Sequence, residues 1–263
     1  MEAVSLPHGV WVCTHRFIHH AGAASLISQR TLAHAQETGC SERMRIARLH
    51  VLDILTPSWH PRPNTLVSNY AYLVISSAGV LLFDTGLGPP HSWIDDHCRP
   101  KRYDLVALLR EKGVLVSDVD VVVNCHLHFD HCGGNHLFKG ARFVVQRTEL
   151  EEARTPNYTV REWFDFTGAR FEIADGEHEI WAGATVFPTP GHTMGHQSLI
   201  LDSPKGIVVL AGQAAESPEG FEEGTGSWEP DRQDIGAASI ARLKAMSPTR
   251  VMFAHDASEW RRG

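Results

Sequence analysis

Residues 124–135, NCHLHFDHCGGN, crowd His126, His128, Asp130 and His131 into six positions, with Gly133 and Gly134 just behind. Neutral imidazole and carboxylate are the ligands that suit divalent zinc, and a hydrolytic zinc keeps one coordination position open for water. His126 and His128 stand two apart, so in an extended exit loop both side chains project to one side. Asp130 and His131 follow where the chain turns, and approach from another direction. Six positions cannot fill two coordination spheres, so distant ligands are required. His192 in TPGHTMGH and His255 in FAHD each follow an apolar run. A lone histidine at a strand end is ordinarily a hydrogen-bonded surface or core group. H-x-H-x-D-H joined by two further strand-end histidines points instead to a metal centre.

The elements that must position these residues are legible around them. VDVVVN is a continuous apolar, β-branched run, the pattern of a strand buried on both faces. The cluster therefore sits in the loop leaving a central strand. NYAYLVISSAGVLLFDTG predicts a hairpin ending at Asp84. YDLVALLREKG predicts a helix with a stop at Gly113. ARFVVQ is a further buried strand, followed by a helix over RTELEEART. DIGAASIARLKAM reads as an amphipathic helix and RVMFAHD as the last strand. Strands and helices thus recur in two runs, roughly 46–140 and 141–263, expected as two sheets covered by helices within one α/β domain. Residues 1–45 form an N-terminal extension in which AASLISQRTLAHAQET is compatible with a short helix closed by Gly39.

The 263 residues suffice for one large domain or two compact halves. A hydrophobic share of 43% and a charged share of 21% are those of a globular chain. With a net charge of -7 and no long basic run, nucleic acid is not an expected partner. No apolar stretch approaches the roughly 20 residues that cross a bilayer, so no membrane is expected. The first residues do not read as a secretory signal. Five scattered cysteines form no disulfide framework, and a cytoplasmic setting is the expectation.

HLHFDH with its following glycines, PGHTMGHQS and the late AHD resemble the metallo-β-lactamase-fold hydrolases over about residues 46–258. DVDVVVNCHLHFDHCGGN and TPGHTMGHQSLIL are most similar to the lactonase branch, typified by acyl-homoserine lactone hydrolases. The resemblance implies a four-layer αββα sandwich and two metal ions, zinc by expectation, with iron, manganese and cobalt as alternatives. His126, His128 and His192 would hold one ion; Asp130, His131 and His255 the other. It further implies that a metal-bound hydroxide attacks the carbonyl of a lactone or related ester. Asp130 would orient that hydroxide and carry its proton to the departing oxygen. Asp84 matches an aspartate that fixes a ligand histidine through its other nitrogen.

Two positions depart from the family pattern. The strand resembling IVVLAGQ ends, in the family, in an aspartate that bridges the metals; here Gln213 stands there. Two divalent ions about 4 Å apart repel by on the order of 15 kcal/mol at an effective dielectric near 20. A neutral amide can bind one ion but offsets little of that, so the second ion is expected to bind more weakly. Three residues later the lactonases commonly carry a tyrosine, and this chain has Glu216. The two readings of Glu216 are a solvated loop carboxylate and a catalytic group restoring the missing charge.

Cys125 and Cys132 read as small buried residues, and His196 as a local hydrogen-bonding group. Trp59, His60, Trp93, Tyr158, Trp163 and Phe164 are loop aromatics that line a pocket or pack their loops. The expected partner is a small lactone or ester, with a homodimer as one candidate assembly. The competing functions are a glyoxalase II-like thioester hydrolase and a weakly active, one-metal member of the family.

Overall fold

The computed structural model describes residues 44–58, 62–156, 158–226 and 230–263. The expected helix near Gly39 lies outside them, as do Trp59 and His60. The first strands form a seven-stranded sheet. Its members are β1 (Arg45–Leu55), β2 (Leu66–Ser76), β3 (Gly79–Phe83), β4 (Lys101–Arg102), β5 (Val121–Val123), β6 (Arg142–Gln146) and β7 (Arg170–Ala174). Their order across the sheet is β4-β1-β2-β3-β5-β6-β7. The remainder, β8 (His178–Trp181), β9 (Ala184–Pro188), β10 (Gln197–Ser203), β11 (Gly206–Leu210), β12 (Arg250–Met252) and β13 (Glu259–Arg261), form a second sheet of six. Division near residue 140 is therefore displaced. β6 pairs parallel with β5 and β7 parallel with β6, continuing the first sheet, and the second sheet begins only at His178.

Alternation along the strands builds the layers. Tyr72, Val74, Leu81, Phe83, Val121, Val123 and Val144 face Val186, Leu199, Leu201, Val208, Leu210 and Met252 in one core between the sheets. Their neighbours Leu73, Leu82, Val122 and Phe143 point the other way. There they meet Ile94 and Cys98 of α1 (Ser92–Cys98) and Leu105 and Leu109 of α2 (Leu105–Glu111). On the far side of the second sheet, Val209, Ala211, Val251 and Phe253 pack against Phe221, Ile240 and Leu243. Phe221 lies in α6 (Pro218–Glu223), the other two in α7 (Gln233–Ala245). The chain is thus helix, sheet, sheet, helix: the four-layer αββα sandwich. Three further helices, α3 (Phe129–Cys132), α4 (Arg147–Ala153) and α5 (Arg161–Phe164), lie between β5 and β7 in sequence.

At one edge the two sheets are stitched by backbone bonds. Gln197 N donates to Cys125 O at 2.8 Å, and Tyr70 N to Ala254 O at 2.8 Å. β3, β5, β9, β11 and β12 all run out into the loops that carry Asp84, His126, His192, Gln213 and His255. No helix among the described residues is long and apolar enough to cross a membrane.

Candidate metal centre

Extended backbone after β5 sets the first candidate ligands. Leu127 turns into a cluster with Val145, Leu150, Ala153 and Phe164, which leaves His126 and His128 on the opposite side. The chain then turns through the four residues of α3. Gly133 and Gly134 let this turn lie against the loop after β3. A Cβ at Gly133 would stand 2.1 Å from Gly88 N, and one at Gly134 2.5 Å from Thr85 O.

His126 Nε2 lies 3.0 Å from His128 Nδ1, which lies 3.1 Å from His192 Nε2. Asp130, His131 and His255 form a second group, and within each group the ligand atoms lie within 4.8 Å of one another. The two groups adjoin: the rings of His126 and His131 are 4.2 Å apart. Burial, with the neighbouring imidazoles, holds His126 well below the ordinary imidazole range. Burial and His192 push His128 down to about 3. Neutral imidazoles are what a metal requires. One shared proton cannot satisfy three converging lone pairs, whereas a cation can.

The second group fits a cation for a different reason. His131 Nδ1 is engaged by Asp84 Oδ2 at 3.0 Å, and His255 Nδ1 by the carbonyl of Ser68 at 3.1 Å. Each ring then offers Nε2, and that of His131 is buried without a hydrogen-bond partner. Burial lowers His131, but the carboxylates of Asp130 and Asp84 outweigh it and push it up to about 9, so this spot draws positive charge. Burial raises Asp130, yet His131 and His255 hold it below the carboxylate range.

Gln213 is buried, its amide beside His131, while its backbone N–H donates to His196 Nε2 at 3.0 Å. His196 Nδ1 in turn faces Thr189 Oγ1 at 2.8 Å and Thr189 O at 3.1 Å. Both ring nitrogens are occupied, so His196 is no ligand although Cys125 and His126 are near. Glu216 joins neither ligand group; its Oε2 accepts from Arg62 Nη2 at 3.0 Å. Its charge reaches His255 only through space.

Cys125 does more than fill volume. Its Sγ donates to Asp84 Oδ2 at 3.0 Å and lies 3.1 Å from His126 Nδ1. Cys132 donates to Leu127 O at 3.3 Å. Among the aromatics, Trp163 and Phe164 are buried, and Tyr158 lies 4.9 Å from the His128 ring. Two supporting residues were not anticipated. Asn69 Nδ2 donates to Asp130 Oδ2 at 2.8 Å. A lone amide in the apolar run of β2 was its signal. Buried Glu149, one of three acids in RTELEEART, shares its helix face with Ala153 four residues on.

Residues 64–261 match the family model described as the metallo-beta-lactamase superfamily. The chain belongs to that superfamily. It is 30% identical to the N-acyl homoserine lactonase of Bacillus cereus over 205 residues, 71% of this chain and 80% of that one. The N-acyl homoserine lactonase AttM of Azorhizobium caulinodans is 30% identical over 59% of this chain and 65% of its own. Among solved structures, a single-residue mutant of Bacillus thuringiensis AiiA, with N-decanoyl-L-homoserine bound at its active site, superposes with a TM-score of 0.69. It is 26% identical, over 83% of this chain and 95% of that one. An N-acyl homoserine lactone hydrolase carrying N-hexanoyl-L-homoserine at its catalytic metal center gives 0.68 at 27% identity, over 82% and 93%. The metallo-beta-lactamase-superfamily chain is thus of the lactonase branch, a metal-dependent hydrolase of ester bonds.

Proposed function

We infer that the protein opens the ring of an N-acyl homoserine lactone, or a closely related ester, with zinc ions as its cofactor. The observation that carries this is the meeting of two ligand groups, His126/His128/His192 and Asp130/His131/His255, at one sheet edge of a lactonase-like chain. Divalent ions supply Lewis acidity when bound and lower the pKa of a water molecule. The three imidazoles of the first group and the Asp130 group are the residues that would hold them.

Asp130 has the acid–base role. Asn69 occupies its Oδ2 and fixes the carboxylate, which leaves Oδ1 to take a proton from the attacking water. The water oxygen joins the carbonyl carbon, the carbon–oxygen bond of the ring breaks, and Asp130 returns the proton to the departing oxygen. The product is a hydroxy acid. Burial of His126 and His131 keeps bulk water from the floor of the centre.

Acid release from homoserine lactones, and thiol release from thioesters, would be followed for the purified protein before and after chelation. Lactone opening that chelator abolishes and zinc restores is the expected result. Thioester cleavage with inert lactones would transfer the protein to the thioester hydrolases. Metal analysis of the same samples distinguishes two ions from the single ion that Gln213 would favour.

A further inference from the structure

Glu149 lies in the first turn of α4, and only 1% of it is exposed. A carboxylate is buried so fully only where donors satisfy it. Its Oε1 accepts the Leu127 amide at 2.7 Å and the Tyr158 hydroxyl at 2.6 Å. Its Oε2 accepts the Thr193 hydroxyl at 2.6 Å. None of these donors is itself a ligand, but each adjoins one. Leu127 stands between His126 and His128, Thr193 follows His192, and the Tyr158 ring lies against that of His128. Gly195, two residues beyond Thr193, brings the turn so close to α4 that a Cβ there would stand 2.2 Å from Glu149 N.

The two half-sites differ in charge. Asp130 is itself a member of one group and Asp84 backs it, whereas the other consists of three imidazoles alone. We propose that Glu149 is the positioning residue of the His126/His128/His192 half-site. One carboxylate ties together the two loops that carry its ligands, and sets a negative charge behind an otherwise neutral donor set. A group confined to packing α4 would need neither the amide between the two histidines nor the hydroxyl beside the third. The assignment rests on the two-ion reading of the centre given above.

The test compares metal-free wild type, Glu149→Gln and Asp84→Asn, each titrated with cobalt(II) against a chromophoric chelator, with thermal melting alongside. Glu149→Gln preserves size and removes the charge. It is expected to keep one ion at wild-type affinity and to bind the other about 10- to 100-fold more weakly, the usual cost of losing an outer partner. The visible cobalt spectrum should lose the component of the three-imidazole site. Asp84→Asn should weaken the other ion. Thr193→Val removes one bond to Glu149 and should shift the same ion by a smaller factor; it carries the test should Glu149→Gln fold poorly. Glu149→Gln binding both ions as wild type does, or weakening both alike, overturns the assignment. A wild type that takes up no transition metal would instead sink the two-ion reading, and the assignment with it.

Discussion

Asp84 grips two segments at once: its Oδ2 lies 3.0 Å from His131 Nδ1, while its Oδ1 accepts the Cys125 amide at 2.8 Å. It does so at φ 63, in the left-handed region that aspartate and asparagine tolerate better than most residues. The exit of β5 and the imidazole beyond it are thereby fixed by one side chain. Asp84→Asn should fold normally and bind divalent metal about 10- to 100-fold more weakly. Asp84→Ala should in addition melt earlier, since alanine in that conformation costs about 1–2 kcal/mol. Chelator competition and thermal melts read the two effects separately. Wild-type affinity in Asp84→Asn would leave Asp84 a turn residue only.

Gln213 stands beside His131 with no charge to set between two ions. Replacing it with aspartate adds a bridging anion where the mutual repulsion of the ions is largest. Gln213→Asp is expected to raise the affinity for the second ion by at least about tenfold, one decade being about 1.4 kcal/mol. Metal content after dialysis against a weak chelator measures this. If the rate on lactones falls while occupancy rises, the glutamine has a role of its own toward substrate.

Most of the fold was legible because its cause is local. The β-branched run at Val121–Val123 predicts a buried strand and is one. The meeting of His126, His192 and His255 at one sheet edge was foreshadowed for the same reason, each sitting just past an apolar run. Sheet membership was not. Whether β6 pairs with β5 or opens a second sheet depends on partners far along the chain, and nothing in ARFVVQ records that choice. Supporting polar groups were equally hidden. Glu149 differs from Glu151 and Glu152 only in the direction its side chain leaves a helix, and its donors come from 127, 158 and 193. Glu216 was open by sequence between a solvated loop carboxylate and a group serving the ions, and nothing local records its partner Arg62, 154 residues away.

The Arg62–Glu216 pair lies outside both candidate ligand groups. Arg62 is largely exposed, and such pairs contribute about 0–1 kcal/mol to stability. Glu216→Ala and Arg62→Ala should therefore melt close to wild type and keep their metal content. Both should change KM for lactones more than kcat. A fall in metal occupancy in Glu216→Ala would show that its carboxylate serves the ions after all.

Asp53 links the rim of the first sheet, through Ser68, to the candidate ligand His255. Its carboxylate accepts from Ser68 Oγ at 2.6 Å and Tyr103 OH at 2.7 Å, and pairs with His50 Nε2 at 2.7 Å. Burial raises its pKa, but these hydrogen bonds, that of Ser68 foremost, outweigh it and leave Asp53 below its ordinary value. A carboxyl with a depressed folded pKa stabilises above its unfolded pKa, near 3.9, and that contribution is lost as pH falls through the folded value. Asp53→Asn should cost about 1.5–3 kcal/mol at neutral pH, the worth of hydrogen bonds to a charged group. The difference from wild type should shrink below about pH 4, in urea melts across pH. Equal acid sensitivity in both proteins would contradict this account. Because Ser68 O also holds His255 Nδ1, metal affinity should fall slightly with it.

Gly195 sets how closely the turn carrying His192 approaches α4. A Cβ there would stand 2.2 Å from Glu149 N and 2.4 Å from Glu149 Cα, contacts that backbone cannot relieve by rotating a side chain. Gly195→Ala must push the turn away from the helix and with it the bond from Thr193 Oγ1 to Glu149. Overpacking of this kind costs about 1–3 kcal/mol. Gly140→Ala is the matched control, since nothing lies within 4 Å of its added Cβ. The control should melt within about 0.5 kcal/mol of wild type, as surface substitutions do. Gly195→Ala should melt lower and bind the His192 ion more weakly even below its melting range. Equal metal binding in the two variants would mean that the turn can shift without moving His192.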